Sequence, residues 1–225
     1  MVLTTIITFL YLLYRYRINQ LVKMQVMRNE ISKDLHDDLG STLGSINILI
    51  EVAKNKMESG FKDQSYSVLN KISNNAREMI DKMSDIVWAI NPKNENLNKI
   101  IDRLSDFSRE ICISKDVQLE FKTDEDALKM ILPMEAIKNI YLIVKEAMNN
   151  AIKHSNCKHL TVSFKSVPKG LDISIADDGK GFDQEKIKYG NGLNNMESRV
   201  NEMKGSISIH SEHKNTIVTL KVPIT

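Results

Sequence analysis

ISKDLHDDLGSTLGSINILIEVA, residues 31–53, reads as one helix with chemistry on its flank. Apolar residues Ile31, Leu35, Leu39, Leu43, Ile46, Ile50, Ala53 and Met57 recur in steps of three and four and trace one helical face. His36 falls one residue past Leu35 and three before Leu39, beside that stripe, so partial exposure is expected. Gly40 and Gly44 follow on the same line of the helix. Each mid-helix glycine costs about 1 kcal/mol against alanine, which points to a close approach beside the histidine. Asp37 can hold one imidazole nitrogen and leave the other as a nucleophile. Taken alone, a His-Asp pair on a helix is an ordinary solvated pair, and the rest of the chain has to decide its meaning.

Outward from this stretch, nothing between Ile18 and about Ser59 breaks a helix except the two glycines. Residues 57–65, MESGFKDQS, read as a turn. A second helix runs from about Gln64 to Ala89, with Leu69, Ile72, Ala76, Met79, Ile80, Met83, Ile86 and Val87 near one face, and Pro92 ends it. Two such helices make an antiparallel hairpin, and two copies of a hairpin pair naturally as a four-helix bundle. Residues 96–114 read as a connecting helix. Beyond it the pattern changes to alternating strands at 117–121, 160–164, 171–177, 206–211 and 217–222, with helices at 134–152 and 193–203. That is an α+β sandwich. The expected organisation is residues 1–17 as the end of a transmembrane helix, 18–92 as the helical hairpin, 93–116 as the connector and 117–225 as the α+β domain.

At 225 residues the chain is long enough for two cores, and its net charge of +2 gives no case for nucleic acid as a partner. Cys112 and Cys157 stand far apart without metal-ligand spacing and read as reduced thiols, which fits a cytoplasmic location. VLTTIITFLYLLY, residues 2–14, is uncharged and apolar, with Arg15 and Arg17 directly after it. It falls short of the roughly 20 residues of a full span. Two readings compete, the cytoplasmic end of a membrane span and an amphipathic or exported leader. The tyrosines beside the arginines look like a membrane-interface belt and favour the first, so the expectation is a membrane-anchored chain whose residues after about 17 are cytoplasmic.

Three segments of the α+β half carry chemistry. In KEAMNNAIKHS, Glu146 and Asn150 are four apart on one helical face and could position a hydrated Mg²⁺, while Lys153 and His154 lie a turn further on. In DDGKGF, Asp177 can accept from an exocyclic amine, and Gly179 and Gly181 allow backbone close to a flat ligand. In GNGLNNM, Gly190 and Gly192 precede Leu193 at the start of a helix, where free backbone N–H groups suit an anion. Each segment is weak alone, since polar helix faces and glycine turns are common. Their order on this background is much more specific.

That order, a His-Asp box, then EAMNNAIKH, DDGKGF and GNGL, resembles the bacterial two-component sensor histidine kinases, nearest the subfamily of the nitrate and membrane-fluidity sensors. The resemblance covers nearly all of the chain after residue 20. The C-terminal half looks like the GHKL-type ATP-binding domain shared with DNA gyrase, Hsp90 and MutL. The resemblance implies a dimeric kinase in which His36 accepts phosphate from ATP, Asp37 orients it, and the phosphoryl group passes to the receiver domain of a response regulator. It implies Asn150 as the Mg²⁺ ligand, with Glu146 a second candidate, and Lys153 and His154 as nucleotide contacts. Asp177 would hold the adenine amine, Gly179 and Gly181 would shape its pocket, and Gly190, Gly192, Leu193 and Thr216 would complete the site. The eight residues 183–190 would form a short lid. Two departures stand out. Ser41 occupies the position where relatives commonly carry a phosphatase-assisting glutamine, so the resemblance extends to kinase but not to phosphatase activity. Asn215-Thr216 replaces Gly-Thr, and asparagine tolerates the left-handed turn expected there. The alternatives are an ATP-binding dimeric module or a GHKL ATPase without autokinase activity.

Overall fold

The computed structural model describes residues 2–89, 91–94, 96–182, 191–212 and 214–224. Of residues 20, 23–24, 26–39, 41, 92 and 191 it describes the backbone only. The chain divides into two compact units, Met1–Ile86 and Val87–Thr225.

The first unit is helical. Helix α1 (Val2–Glu58) is continuous from the apolar N-terminal stretch through the His36 region, and α2 (Lys62–Ala89) follows. The connection is tighter than the nine-residue turn expected from sequence. The Ser59 N–H donates to the Asn55 carbonyl at 3.0 Å, the Phe61 N–H to the Lys56 carbonyl at 2.9 Å, and Gly60 takes a φ of 80°. A left-handed glycine just past a helix end closes the final carbonyls in this way. Ala53, Ser65 and Val68 are buried on either side of the turn, and Lys56 Nζ bonds to Gln64 Oε1. Leu43, Ile50, Leu69, Ile80 and Met83, all on the apolar stripes read from sequence, are exposed in the single chain. Among the described residues, no helix is long and apolar enough to cross a membrane.

The second unit is a sheet with helices packed on one face. Its elements are α3 (Leu97–Lys115), β1 (Gln118–Thr123), α4 (Glu125–Leu128), α5 (Met134–Asn150), β2 (His159–Val167), β3 (Gly170–Asp177), α6 (Asn191–Glu202), β4 (Ser206–Glu212) and β5 (Asn215–Pro223). A π-helical turn, Ala151–Ser155, extends α5. The strand order is β1-β2-β3-β5-β4, with β1 and β2 parallel and the other neighbours antiparallel. Strand alternation puts Leu160, Val162 and Phe164, Leu171, Ile173 and Ile175, and Val218, Leu220 and Val222 on the inner face. Against them pack Ile137, Ile140, Tyr141, Val144 and Met148 of α5 and Met196 and Val200 of α6. Helix α3, read from sequence as a connector, gives Leu97, Ile100, Leu104 and Cys112 to this same core. Trp88, in the last turn of α2 and within the second unit, meets Tyr141 in a tilted ring contact, with centroids 4.9 Å apart at 47°.

Polar locks fix the helices that carry the site. Asn139, fully buried on α5, donates from Nδ2 to Glu202 Oε2 on α6 at 3.0 Å and accepts from Arg199 at 3.4 Å. Asp124 caps α4 through the Ala127 N–H at 2.6 Å and also accepts the Ser166 N–H of β2 at 2.9 Å. Both cysteines are free and buried, and burial pushes both thiols up, which keeps them unreactive.

The β4–β5 hairpin departs from the sequence expectation. Its last strand pair is Glu212 with Asn215, and the positive φ falls on Lys214, at 101°, rather than on Asn215, which opens β5. A φ of 101° lies beyond the left-handed region that L-residues tolerate. Lys214→Gly is therefore expected to stabilise the protein by about 1 kcal/mol, read as a higher urea midpoint at unchanged slope. Lys214→Val is expected to lower it.

Candidate functional site

The end of β3 and the end of α5 meet at a cavity of about 520 Å³. Strand β3 is interior to the sheet, and its last residue, Asp177, is buried. The chain then turns so sharply that the Gly179 N–H donates back to Asp177 Oδ1 at 2.9 Å. Burial raises the Asp177 carboxyl above its ordinary range, and the Gly179 N–H and the Ser155 hydroxyl oppose that rise. The next residue, Asp178, does different work. Its Oδ1 accepts the Lys158 and His159 N–H groups at 2.7 and 2.8 Å, and its Oδ2 lies 2.6 Å from His159 Nδ1. These bonds, led by those from His159, hold the Asp178 carboxyl down to about 2 and tie the end of β3 to the start of β2.

The loop after β3 is clamped on both sides. On one side the Lys180 N–H donates to the Ser155 carbonyl at 2.8 Å, and a Cβ at Gly179 would run into Ser155. On the other side the Phe182 N–H donates to Ser211 Oγ at 2.8 Å. Gly181 has a φ of 63°, and a Cβ there would collide with the Glu212 carbonyl. Both glycines are thus required by close packing, Gly181 also by its backbone.

The opposite wall comes from α5 and α6. Asn150 Nδ2 lies 3.4 Å from Glu146 Oε1, one turn away along α5. Gly192, at the start of α6, lies against the Glu146 carboxylate, and a side chain there would push that head group aside. The first turn of α6 therefore presents backbone N–H groups at the cavity, where the helix dipole favours an anion. Ile175, Met196, Ile209 and Val218 give the cavity an apolar lining, and His154 and Lys180 give it positive or protonatable groups.

Of the residues singled out from sequence, Glu146, Asn150, His154, Asp177, Gly181, Gly192, Leu193 and Thr216 line this one cavity. Gly179 stands behind it, packed on Ser155. Lys153 does not reach it and is exposed. In a regular α-helix Lys153 and His154 would both continue the Glu146–Asn150 face. The π turn delays the helical phase by about one residue, so His154 and Ser155 face the cavity instead. Gly190 and the rest of residues 183–190, the expected lid, lie outside the described residues. His36, Asp37 and Ser41 lie on α1, with side chains outside the described set. Around Gly40 and Gly44, among the described residues, nothing lies within 4 Å of where a Cβ would stand. Sequence reasoning missed Ser155, Lys180, Phe182 and Ser211. Of these, Ser155, Lys180 and Phe182 sat inside motifs already in view, Ser155 as the last residue of KEAMNNAIKHS. Among the described residues no cluster of three or more His, Cys, Asp or Glu side chains could cage a metal. Asn150 and Glu146 are the oxygen-bearing side chains placed to share a hydrated cation with an anionic ligand.

Comparison with known proteins follows the same division. Residues 28–95 match a family described as histidine kinase, and residues 135–225 match the histidine kinase-, DNA gyrase B-, and HSP90-like ATPase family. The sensor histidine kinase DesK of Bacillus subtilis is 29% identical over 92% of this chain and 53% of its own length. The sensor histidine kinase YvfT of the same organism is 25% identical over 92% of this chain and 53% of its own. The oxygen sensor histidine kinase NreB of Staphylococcus carnosus is 23% identical over 88% of this chain and 56% of its own. The chain thus spans about half the length of the curated relatives it matches. In fold, it resembles the Acinetobacter baumannii histidine kinase AdeS, with a TM-score of 0.59 at 15% identity over 80% of this chain and 98% of that one. Helical region first and ATPase-like sheet second, the chain belongs to the bacterial sensor histidine kinases.

Proposed function

We propose that this chain is the kinase core of a two-component system, transferring the γ-phosphoryl group of ATP to His36 and from there to an aspartate of a response regulator. The observation that carries the reading is the convergence of Asp177, Asn150, Glu146 and the first turn of α6 on one cavity. Asp177 accepts the exocyclic amine of adenine, and the apolar lining holds the ring. Asn150, backed by Glu146, faces the phosphates together with the N–H groups that open α6. Asn150, with Glu146 a second candidate, would hold Mg²⁺, which when bound would supply charge neutralisation at the transferring group.

The acceptor lies on α1. One nitrogen of His36 attacks the γ-phosphorus in line, the bond to the β-phosphate oxygen breaks, and ADP leaves. Asp37 holds the proton on the other nitrogen and balances the imidazolium that forms. Positioning and electrostatics supply most of such a rate. Among the described residues nothing stands within 4 Å of a Cβ at Gly40 or Gly44, which supports an approach there by a nucleotide and by a regulator. The exposed apolar residues along α1 and α2 support a homodimer built on the helical hairpin. Residues 2–14, uncharged and followed by Arg15 and Arg17, support attachment to a membrane with the kinase on the cytoplasmic side. The proposed extents are 1–17 for the membrane-proximal end, 18–92 for the phosphotransfer hairpin, 93–116 for the connecting helix and 117–225 for the ATP-binding domain.

Incubation with γ-labelled ATP and Mg²⁺ is expected to give a phosphoprotein stable in base and labile in acid. His36→Gln should abolish the label and leave nucleotide affinity unchanged. Steady ADP release without phosphoprotein would instead establish an ATPase. Calorimetry should show Asp177→Asn weakening ATP binding about tenfold or more, the loss of a charged hydrogen bond. Because the Asp177 carboxyl is held above its ordinary range, it protonates at higher pH than a free aspartate near 3.9. ATP affinity should therefore begin to fall on acidification before that pH is reached, and the dependence should disappear in Asp177→Asn.

A further inference from the structure

Ser211 takes no part in the reaction above, yet its hydroxyl joins the two sides of the cavity's nucleobase end. It stands on β4 directly opposite Thr216 of β5, and Thr216 stands opposite Asp177 of β3. Residues directly opposite in adjacent strands share a face, so Asp177, Thr216 and Ser211 form one row across three strands. Thr216 and Asp177 are buried and line the cavity, with Ser211 behind Thr216.

A serine hydroxyl has one proton to give and two lone pairs to receive with. At Ser211 the Phe182 N–H takes one lone pair at 2.8 Å. Two oxygens compete for the proton, Thr216 Oγ1 at 3.2 Å and the Asn215 carbonyl at 3.4 Å. The Ser211–Thr216 bond can run either way; with Ser211 donating, it occupies a lone pair of Thr216 and leaves the proton of Thr216 free for the cavity. In that arrangement the row presents an acceptor at Asp177 and a donor beside it at Thr216.

Adenine presents the complement of that pair, an amine donor next to an unprotonated ring nitrogen. Guanine presents the reverse, a carbonyl next to a ring N–H, and would set acceptor against acceptor and donor against donor. Buried polar groups left unpaired in this way are what gives a site strong rejection of a near-isostere. Resting on the ATP-site reading above, we infer that Ser211 is a positioning residue that sets the nucleobase selectivity of the site by fixing the direction of the Thr216 proton. Without it, Thr216 can turn its own proton toward the Asn215 side and offer the cavity a lone pair, which tolerates guanine.

The test is calorimetric affinity of the full chain for ADP and GDP, with Mg²⁺, in wild type, Ser211→Ala, Ser211→Thr and Thr216→Val. Expected is a wild type that prefers ADP strongly, and a Ser211→Ala variant whose ADP/GDP preference falls about tenfold. Ser211→Thr, which keeps a hydroxyl, should restore it. Thr216→Val spares the Phe182 bond and should lower the preference similarly, and adding Ser211→Ala to it should change the preference no further. If Ser211→Ala weakens ADP and GDP by the same factor, the serine is merely structural and the inference is overturned. Should Ser211→Ala not fold, an unchanged preference in Thr216→Val overturns it equally. A wild type that binds neither nucleotide would instead remove the ATP-site reading itself.

Discussion

A carboxylate buried at the end of an interior strand must be given hydrogen bonds, and the second unit is arranged around giving them to Asp177. An unpaired buried charge costs several kcal/mol, enough to neutralise or unfold the site. The Gly179 N–H reaches Asp177 only because the chain doubles back at once. Doubling back presses Gly179 onto Ser155 and Gly181 onto the β4–β5 hairpin, so both positions exclude a side chain. Ser155 is there to be pressed upon because α5 ends in a π turn, and Thr216 stands beside Asp177 because β5 pairs with β3 in that register. Strain collects nearby: Lys214 holds a φ of 101° at the tip of the hairpin that the glycine loop rests on. The geometry favours a ligand that brings a hydrogen-bond donor to a carboxylate already partly satisfied.

Much of this was legible in the residues. Period-two alternation located the five described strands, because each has one face toward the core and one outside, and the helices read at 96–114, 134–152 and 193–203 correspond to α3, α5 and α6. The DDGKGF turn was legible because few other residues survive such a close approach. What escaped notice depends on contacts made after folding. Ser155 and Ser211 are unremarkable in sequence, and their roles arise from a π turn and from a hairpin docking against a loop, neither of which leaves a periodic signal. Lys153 was expected at the cavity because an ideal 3.6-residue helix would put it there. Asn215 was expected in the left-handed position by its intrinsic tolerance, yet strand pairing assigned that position to Lys214. Helix α3 read as a connector although four of its apolar residues belong to the core, since sequence shows an amphipathic face and not what covers it.

The helical unit poses the complementary problem. The sheet unit buries one shared core, whereas α1 and α2 leave Leu43, Ile50, Leu69, Ile80 and Met83 exposed along their stripes. Surface of that kind on a helical hairpin asks for further helices, which the proposed homodimer supplies. In the proposed reading, His36 takes its chemical meaning from the nucleotide site proposed more than a hundred residues downstream. The two glycines after it, with nothing among the described residues within 4 Å of an added Cβ, are consistent with the proposed acceptor being reached from outside.

The most direct measurement is a crystal structure of the chain with ADP and Mg²⁺ bound. Expected is an adenine amine within hydrogen-bond distance of the Asp177 carboxylate, with the phosphates between Asn150 and the first turn of α6. A nucleotide seated elsewhere, or reversed so that its phosphates lie at Asp177, would contradict the account.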